Sequence, residues 1–440
     1  MIFIILSISF FLSLLLGKYY FKKHINPISI YSFIWTGLLT FFHLKLIKYD
    51  NLSIYAWIII LFAYLSFILG ILVYFTAIRI FNSNTNQTQE MKISAIFSLD
   101  GKILIYLIVF FSVLGLIGAL QHWNILINKF GSLVEVFLHL GLIRQMTVRG
   151  EIEGILPYIS AFSFVAIFFA ALYSAWKRRI TLISFLPLVA IILKDTAAAG
   201  RVGILIGFLE FGLTYVFTSY YLNNFRNKEK KKHNFNIYFS IVLVVVIFLT
   251  SIFFIKGLRG GSEDLTGAGR GISSLRNNLF ITPTLYLYFS GHVGVLSKYL
   301  EKDIEKARFG ENTFRFVYNV FDKFGFTDNA EMYQRGYYIP VWINTGTFLR
   351  ELHADFGISG TLLFLFILGI IISSVWVSFY KSGNITYLVF LVYLGLIIAL
   401  SFLMMITRLT TWPISLLTIL LVLSIIEKIF DKTKISKRLN

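Results

Sequence analysis

The chain has 440 residues, of which 57% are hydrophobic, 18% aromatic and only 14% charged, with a formal net charge of +18 and no cysteine. Soluble globular domains carry about 25% charged residues, so the composition excludes a soluble enzyme, a nucleic-acid-binding protein and a disordered linker protein. The missing cysteine excludes disulfides, thiolate metal sites and cysteine nucleophiles, and part of the positive charge reads as an orientation signal beside membrane segments.

A membrane helix takes about 20 mostly apolar residues. In chain order, apolar runs at 2–16, 27–42, 55–77, 103–120, 155–176, 180–193, 202–222, 237–255, 356–379, 385–406 and 415–426 predict an all-α polytopic integral membrane protein with about eleven transmembrane helices. Lys18, Lys22 and Lys23 follow the first run without a small-residue cleavage site, so that run reads as a retained span. The cationic loops at Lys22/Lys23, Lys177–Arg179 and Lys228–Lys232, with the tail 428–438, fall on one side of alternate spans. Placed in the cytoplasm, they put the N-terminus outside and the C-terminus inside.

The same parity divides the chain into N-terminal helices over 1–255 (about eight spans), an outside loop over 256–345, C-terminal helices over 346–430 (about three spans) and a basic tail over 431–440. The loop is rich in arginine, with Arg259, Arg270, Arg276, Arg308, Arg315 and Arg335. Arginine suits bidentate phosphate contacts, whereas lysine suits generic inside charge. Carboxylates of the same loop and lipid head groups are the alternative partners. Within the loop, 275–300 predicts a semi-apolar interfacial helix, and 312–324 carries aromatics at helical spacing.

Four places carry polar residues at a membrane edge or inside it, where each is costly without a partner. The stretch from Lys194 to Arg201 joins two apolar runs, and Gly200 and Arg201 open the helix over 202–222. Its N-terminal amides favour an anion, and Arg201 there reads as a diphosphate holder or as a snorkelling interfacial side chain. Arg144, Arg149 and Gly150, and Arg259-Gly260-Gly261, form arginine–glycine clusters in outside loops, which suit phosphate oxygens and equally suit solvated turns. The stretch from Asn344 to Gly360, if helical, aligns Asn344, Thr347, Glu351 and Asp355 on one stripe with Arg350 and His353 beside it. Such a group suits orienting and deprotonating a sugar hydroxyl; a helix start complementing its dipole is the other reading. Glu210 lies deep in the run 202–222 and reads as a structural partner to a Tyr or His on another helix. No histidine or carboxylate spacing resembles a metal site, and no nucleotide-binding motif is present.

The chain resembles the O-antigen and oligosaccharide repeat-unit polymerases (Wzy-type) of bacterial cell envelopes, which are related to the O-antigen ligases. Three stretches carry the resemblance: Ala199-Gly200-Arg201, Phe309 to Phe314, and Asn344-Thr345-Gly346-Thr347 with Asp355-Phe356-Gly357-Ile358-Ser359-Gly360. Arg144 to Gly154 and Arg259 to Gly269 fall one residue short of a paired arginine–glycine spacing found in some members, and the ligases carry a histidine where this chain has Asn344. The resemblance implies a glycosyltransferase-C-like membrane fold in the bacterial inner membrane. It implies polymerisation of undecaprenyl-diphosphate-linked oligosaccharide at the periplasmic face, with no cofactor and no metal. Arg201, Arg259, Arg144, Arg149 and Arg350 would then hold the diphosphate, and Asp355, His353, Asn344 and Glu351 would form the catalytic group. Tyr333, Tyr337, Tyr338 and Trp342 would stack on sugars, a role an interfacial aromatic belt imitates. Partners on this reading are the lipid-linked oligosaccharide, membrane lipids, and chain-length regulator and flippase proteins, with no nucleic acid. A ligase, or a flippase or other transporter, is the alternative.

Overall fold

The computed structural model describes residues 2–81, 101–148, 151–152, 158–198, 200–225, 283–302, 307–328, 330, 334–339 and 341–439. The described helices are α1 (Ile2–Phe21), α2 (Pro27–His43), α3 (Ile54–Phe81), α4 (Gly101–Phe130), α5 (Leu133–Leu138), α6 (Leu140–Val148), α7 (Ala161–Lys177), α8 (Leu186–Ala197) and α9 (Val202–Phe225). They continue as α10 (Pro283–Lys302), α11 (Arg315–Lys323), α12 (Phe348–Ser382), α13 (Ile385–Ala399) and α14 (Thr411–Leu439). One antiparallel hairpin, β1 (Tyr337–Tyr338) and β2 (Trp342–Ile343), precedes α12. Among the described residues six helices are long and apolar enough to cross a membrane: Ile2–Phe21, Ile54–Ile80, Gly101–Phe130, Val202–Asn223, Phe348–Ser382 and Thr411–Ile429. The chain is therefore an all-α protein built on membrane-length helices. The apolar run expected over 237–255 lies outside the described residues, as do 256–282 of the arginine-rich loop.

Some apolar runs fold differently from their sequence pattern. The run at 180–193 opens with a 3-10 turn (Leu182–Phe185) and becomes helical as α8, with Pro187 in its first turn, where proline's missing N–H is no loss. The run at 385–406 is helical only to Ala399, then breaks into turns and a short 3-10 segment (Ile406–Arg408). The interfacial helix expected over 275–300 is α10. It packs against α2 and α3 and buries Tyr286, Val293, Val295, Leu296 and Tyr299, so it is a core element.

The chain forms two compact units that cut across sequence order. The first comprises Met1–Thr88, Glu263–Ser374 and Ile397–Leu409; the second comprises Gln89–Ser262, Val375–Leu396 and Thr410–Asn440. In the first, Asn26 caps α2 through reciprocal bonds with Ser29, and Pro27 follows in the first turn. At Gly70 of α3 and Gly369 of α12 the two backbones touch: an added Cβ would lie 2.0 Å from the Phe366 carbonyl oxygen or 2.3 Å from that of Phe67. Small residues let membrane helices approach this closely. The second unit is built around α7, whose stretch from Phe164 to Ala175 is buried on every side, with α4, α8, α9 and α14 packed against it. A helix apolar all round is an enclosed one.

Candidate functional site

The residues singled out from Asn344 to Gly360 lie in the first unit. The helix does not begin at Asn344. It starts at Phe348, whose N–H donates to the Ser401 carbonyl at 2.9 Å; Ser401 Oγ in turn accepts from Trp35 Nε1 at 3.0 Å. Asn344 and Thr347 therefore precede the helix, and only Glu351 and Asp355 keep the predicted one-turn spacing. At Gly357 the backbone turns to φ +66° inside α12, a conformation that favours glycine. A short helix carrying the polar residues is thus set off from the long apolar one that follows.

Both carboxylates of the short helix are buried and engaged. Glu351 Oε1 accepts from Arg408 Nη1 at 2.7 Å, and its Oε2 accepts from the Met405 N–H. Asp355 receives four donors: the Asn312 N–H at 3.0 Å and Nδ2 at 2.8 Å on Oδ1, and the Thr313 N–H and Oγ1, both at 2.7 Å, on Oδ2. A link from Thr407 Oγ1 to the Thr313 carbonyl at 2.7 Å closes the set. Two chain segments distant in sequence, 308–314 and 400–409, are thereby fixed to one helical turn. In the former, Arg308 and Glu311 form a forked pair at 2.9 and 3.1 Å, and the Arg308 guanidinium holds the Glu311 carboxyl below its ordinary value.

Arg350 is 1% exposed. Its Nη2 donates to the Arg335 carbonyl at 2.8 Å, and its guanidinium sits 5.4 Å from the Tyr299 ring and 5.0 Å from the Tyr337 ring, within cation–π range. The Tyr299 hydroxyl shares a 3.1 Å hydrogen bond with His353 Nδ1. Of the expected sugar platform, Tyr337 faces Arg350, while Tyr338 and Trp342 pair across the hairpin with ring centroids 5.4 Å apart and are exposed. Tyr333 lies outside the described residues.

His292 of α10 joins the Asn344–Thr347 segment. Its Nδ1 lies 3.1 Å from both the carbonyl and the hydroxyl oxygen of Thr345. The backbone of Tyr288 also bonds to the ring, so His292 ties α10 to the segment that leads into α12. Burial pushes this imidazole down to about 4.

The second unit contains Arg201, Arg144 and Glu210. Arg201 is buried where α9 begins, and an anion does occupy that helix end: the chain's own Asp195. Its Oδ2 accepts from the Ile204 N–H at 2.9 Å and the Gly203 N–H joins it. An added Cβ on Gly203 would come within 2.7 Å of this carboxylate. Lys194 and Arg144 act electrostatically on Asp195, so Arg144, one of the cations expected from the sequence, acts together with Lys194 on a buried acid. Glu210 is buried, with the Tyr393 hydroxyl 3.4 Å away, one of the two partner types, Tyr or His, expected for it. Arg149 and Arg259 lie outside the described residues.

Sequence reasoning missed Arg408, Tyr299, His292 and the Asn312–Thr313 pair. Arg408 had a visible signal, since it interrupts the apolar C-terminal third. The others required knowing which distant segments meet. Among the described residues no three histidines or carboxylates converge as a metal site. No family model, curated protein or solved structure matches the chain.

Proposed function

We propose that the protein is a membrane glycosyltransferase that polymerises oligosaccharide repeat units carried on undecaprenyl diphosphate, at the periplasmic face of a bacterial inner membrane. On this reading the chain crosses about eleven times, with its N-terminus outside, its C-terminus inside and a glycosyltransferase-C-like arrangement of helices. The observation that carries it is the concentration of Arg350, Glu351, His353 and Asp355 in the first turns of α12, whose continuation from Phe356 to Tyr380 has no charged residue. A lipid-linked donor has its diphosphate and sugars at the membrane edge, whereas a carrier places polar groups along a central path and pairs broken helices.

The departing lipid diphosphate gains negative charge, and preorganised guanidinium groups stabilise such charge in a water-poor site. Arg201, Arg144, Arg149, Arg259 and Arg350 are the assigned cations, and catalysis proceeds without a divalent metal. Asp355, Glu351, His353 and Asn344 orient the acceptor, and Tyr337, Tyr338, Trp342 and Tyr333 contact sugars. The test is product analysis after deletion in the native cell. Single repeat units left on the outer surface support polymerisation. Finished polymer left on carrier lipid assigns a ligase instead, and units trapped inside assign a flippase. Arg201→Ala is expected to shorten or abolish the glycan ladder, and a full-length ladder from that variant removes Arg201 from the diphosphate site.

A further inference from the structure

Residues 309–326 contain five exposed phenylalanines: Phe309, Phe314, Phe321, Phe324 and Phe326, the last two 70% and 76% exposed. Helix α11 lies in their midst and has no buried residue. At 100° per residue its two faces separate cleanly, with Phe316, Val317, Val320 and Phe321 on one side and Arg315, Asn319, Asp322 and Lys323 on the other. In an ordinary surface helix the apolar side turns to the protein. Here Val317 and Phe321 are exposed, while Arg315 Nε donates to the Ala330 carbonyl at 3.1 Å and Asn319 Oδ1 is buried. Phe316 and Val320 are half-buried, as are Arg315, Asn319 and Asp322, so it is the Val317–Phe321 edge of the apolar side that faces away from the unit that holds the helix.

The exposed stripe does not end with α11. Phe314, Val317, Phe321 and Phe324 follow each other at helical spacing, and Phe309 and Phe314 lie 5.0 and 6.4 Å, centroid to centroid, from Phe356. Phe356 stands where the membrane-length helix α12 begins its apolar course, and the same helix exposes Leu363, Ile367 and Ile371 beyond it. Where α12, long and apolar enough to cross a membrane, does so, lipid covers those aliphatic side chains and lies next to the phenylalanine stripe. We propose that residues 309–326 form an interfacial anchor that seats Phe314, Val317, Phe321, Phe324 and Phe326 in the boundary between head groups and acyl chains. The Asp355 bonds to Asn312 and Thr313 fasten this anchor to the short polar helix.

The absence of cysteine makes single-site labelling unambiguous. Val317→Cys, Phe321→Cys, Phe324→Cys and Lys323→Cys are each spin-labelled in the full chain, in phosphatidylcholine–phosphatidylglycerol nanodiscs. The ratio of oxygen to nickel–chelate accessibility is then read at each site. The ratio is expected to rise severalfold at 317, 321 and 324 relative to 323. Nickel-dominated exposure at all four sites means the stripe is in water and overturns the proposal. Low accessibility to both reagents at 317, 321 and 324 means protein covers the stripe and overturns it equally. Val317→Cys removes no aromatic ring, so the reading does not depend on the phenylalanine variants folding.

Discussion

Each of the two units carries a buried acid at the end of a helix, and the two are used differently. In the first, Asp355 reaches across 43 positions to Asn312 and takes four donors, two of them side chains. In the second, Asp195 reaches only nine positions ahead to Ile204 and caps the helix that follows it. One acid joins segments far apart in the chain; the other completes a local turn. Both first satisfy backbone N–H groups, which is what a buried carboxylate near helix ends does when water is scarce. The contrast separates a carboxylate that ties distant segments together from one that completes a local helix end.

The strongest way to break the first side of that contrast is Glu351. It and Arg408 are both buried and bonded at 2.7 Å, and removing one partner of a buried pair costs about 3–5 kcal/mol because the other charge is left uncompensated. Arg408→Met is therefore expected to lower thermal stability severely, and Glu351→Gln less so, since the amide oxygen still accepts from Met405 or Arg408. An unchanged melting temperature in Arg408→Met means the pair does not hold the 400–409 segment. Next in size is the pH response of His292. The unfolded chain takes a proton near 6.5, the folded site only near about 4. Between these values the unfolded state binds more protons, so stability falls as pH drops through that window, by roughly 3 kcal/mol at about 1.4 kcal/mol per pH unit. His292→Asn keeps a donor for Thr345 and is expected to flatten melting temperature between pH 6.5 and 4; an undiminished slope places the acid sensitivity elsewhere.

Asp355→Asn is expected to cost less in stability, roughly 1–3 kcal/mol, because one oxygen facing two donors becomes an NH2 group. Exchange of the Asn312 and Thr313 amides should accelerate, and chain growth should stop while the protein remains in the membrane. A normal glycan ladder from this variant takes Asp355 out of the site; a lost ladder with unchanged amide exchange means its charge acts on substrate and not on the loop.

What could be read from the sequence follows from range. The apolar runs fixed the all-α class and located helices such as α3, α4, α9 and α12, because a 20-residue run needs only its own composition. Glu210's need for a tyrosine or histidine followed from its depth alone, and Tyr393 meets it. The polar stripe from Asn344 failed at its first two members, since Phe348 starts the helix by bonding to Ser401, a residue 53 positions on. The pairs Glu351–Arg408 and Asp355–Asn312 were equally out of reach: a carboxylate reads the same whether its partner is a substrate hydroxyl or a loop brought back by the fold. At the α9 end, where the sequence suggests an anion, the group that accepts from the Ile204 N–H is Asp195 of the motif itself.

That last point yields the mildest and most local test. If Asp195 is only a cap, Asp195→Asn keeps a side-chain oxygen for the Ile204 N–H and costs about 1 kcal/mol or less, whereas Asp195→Ala costs about 1–2 kcal/mol. Gly203→Ala presses a methyl group against the carboxylate and should weaken the cap by a comparable amount without altering any charge. Stability and glycan ladder are measured together for all three. A pure cap makes the ladder follow stability, with Asp195→Asn nearest to normal and the other two alike. If Asp195 also sets the local field for Arg201, Arg144 and Lys194, Asp195→Asn alters ladder length more than Gly203→Ala does despite its higher stability. An inverted order of that kind gives Asp195 a part in substrate binding and erases the contrast between the two acids.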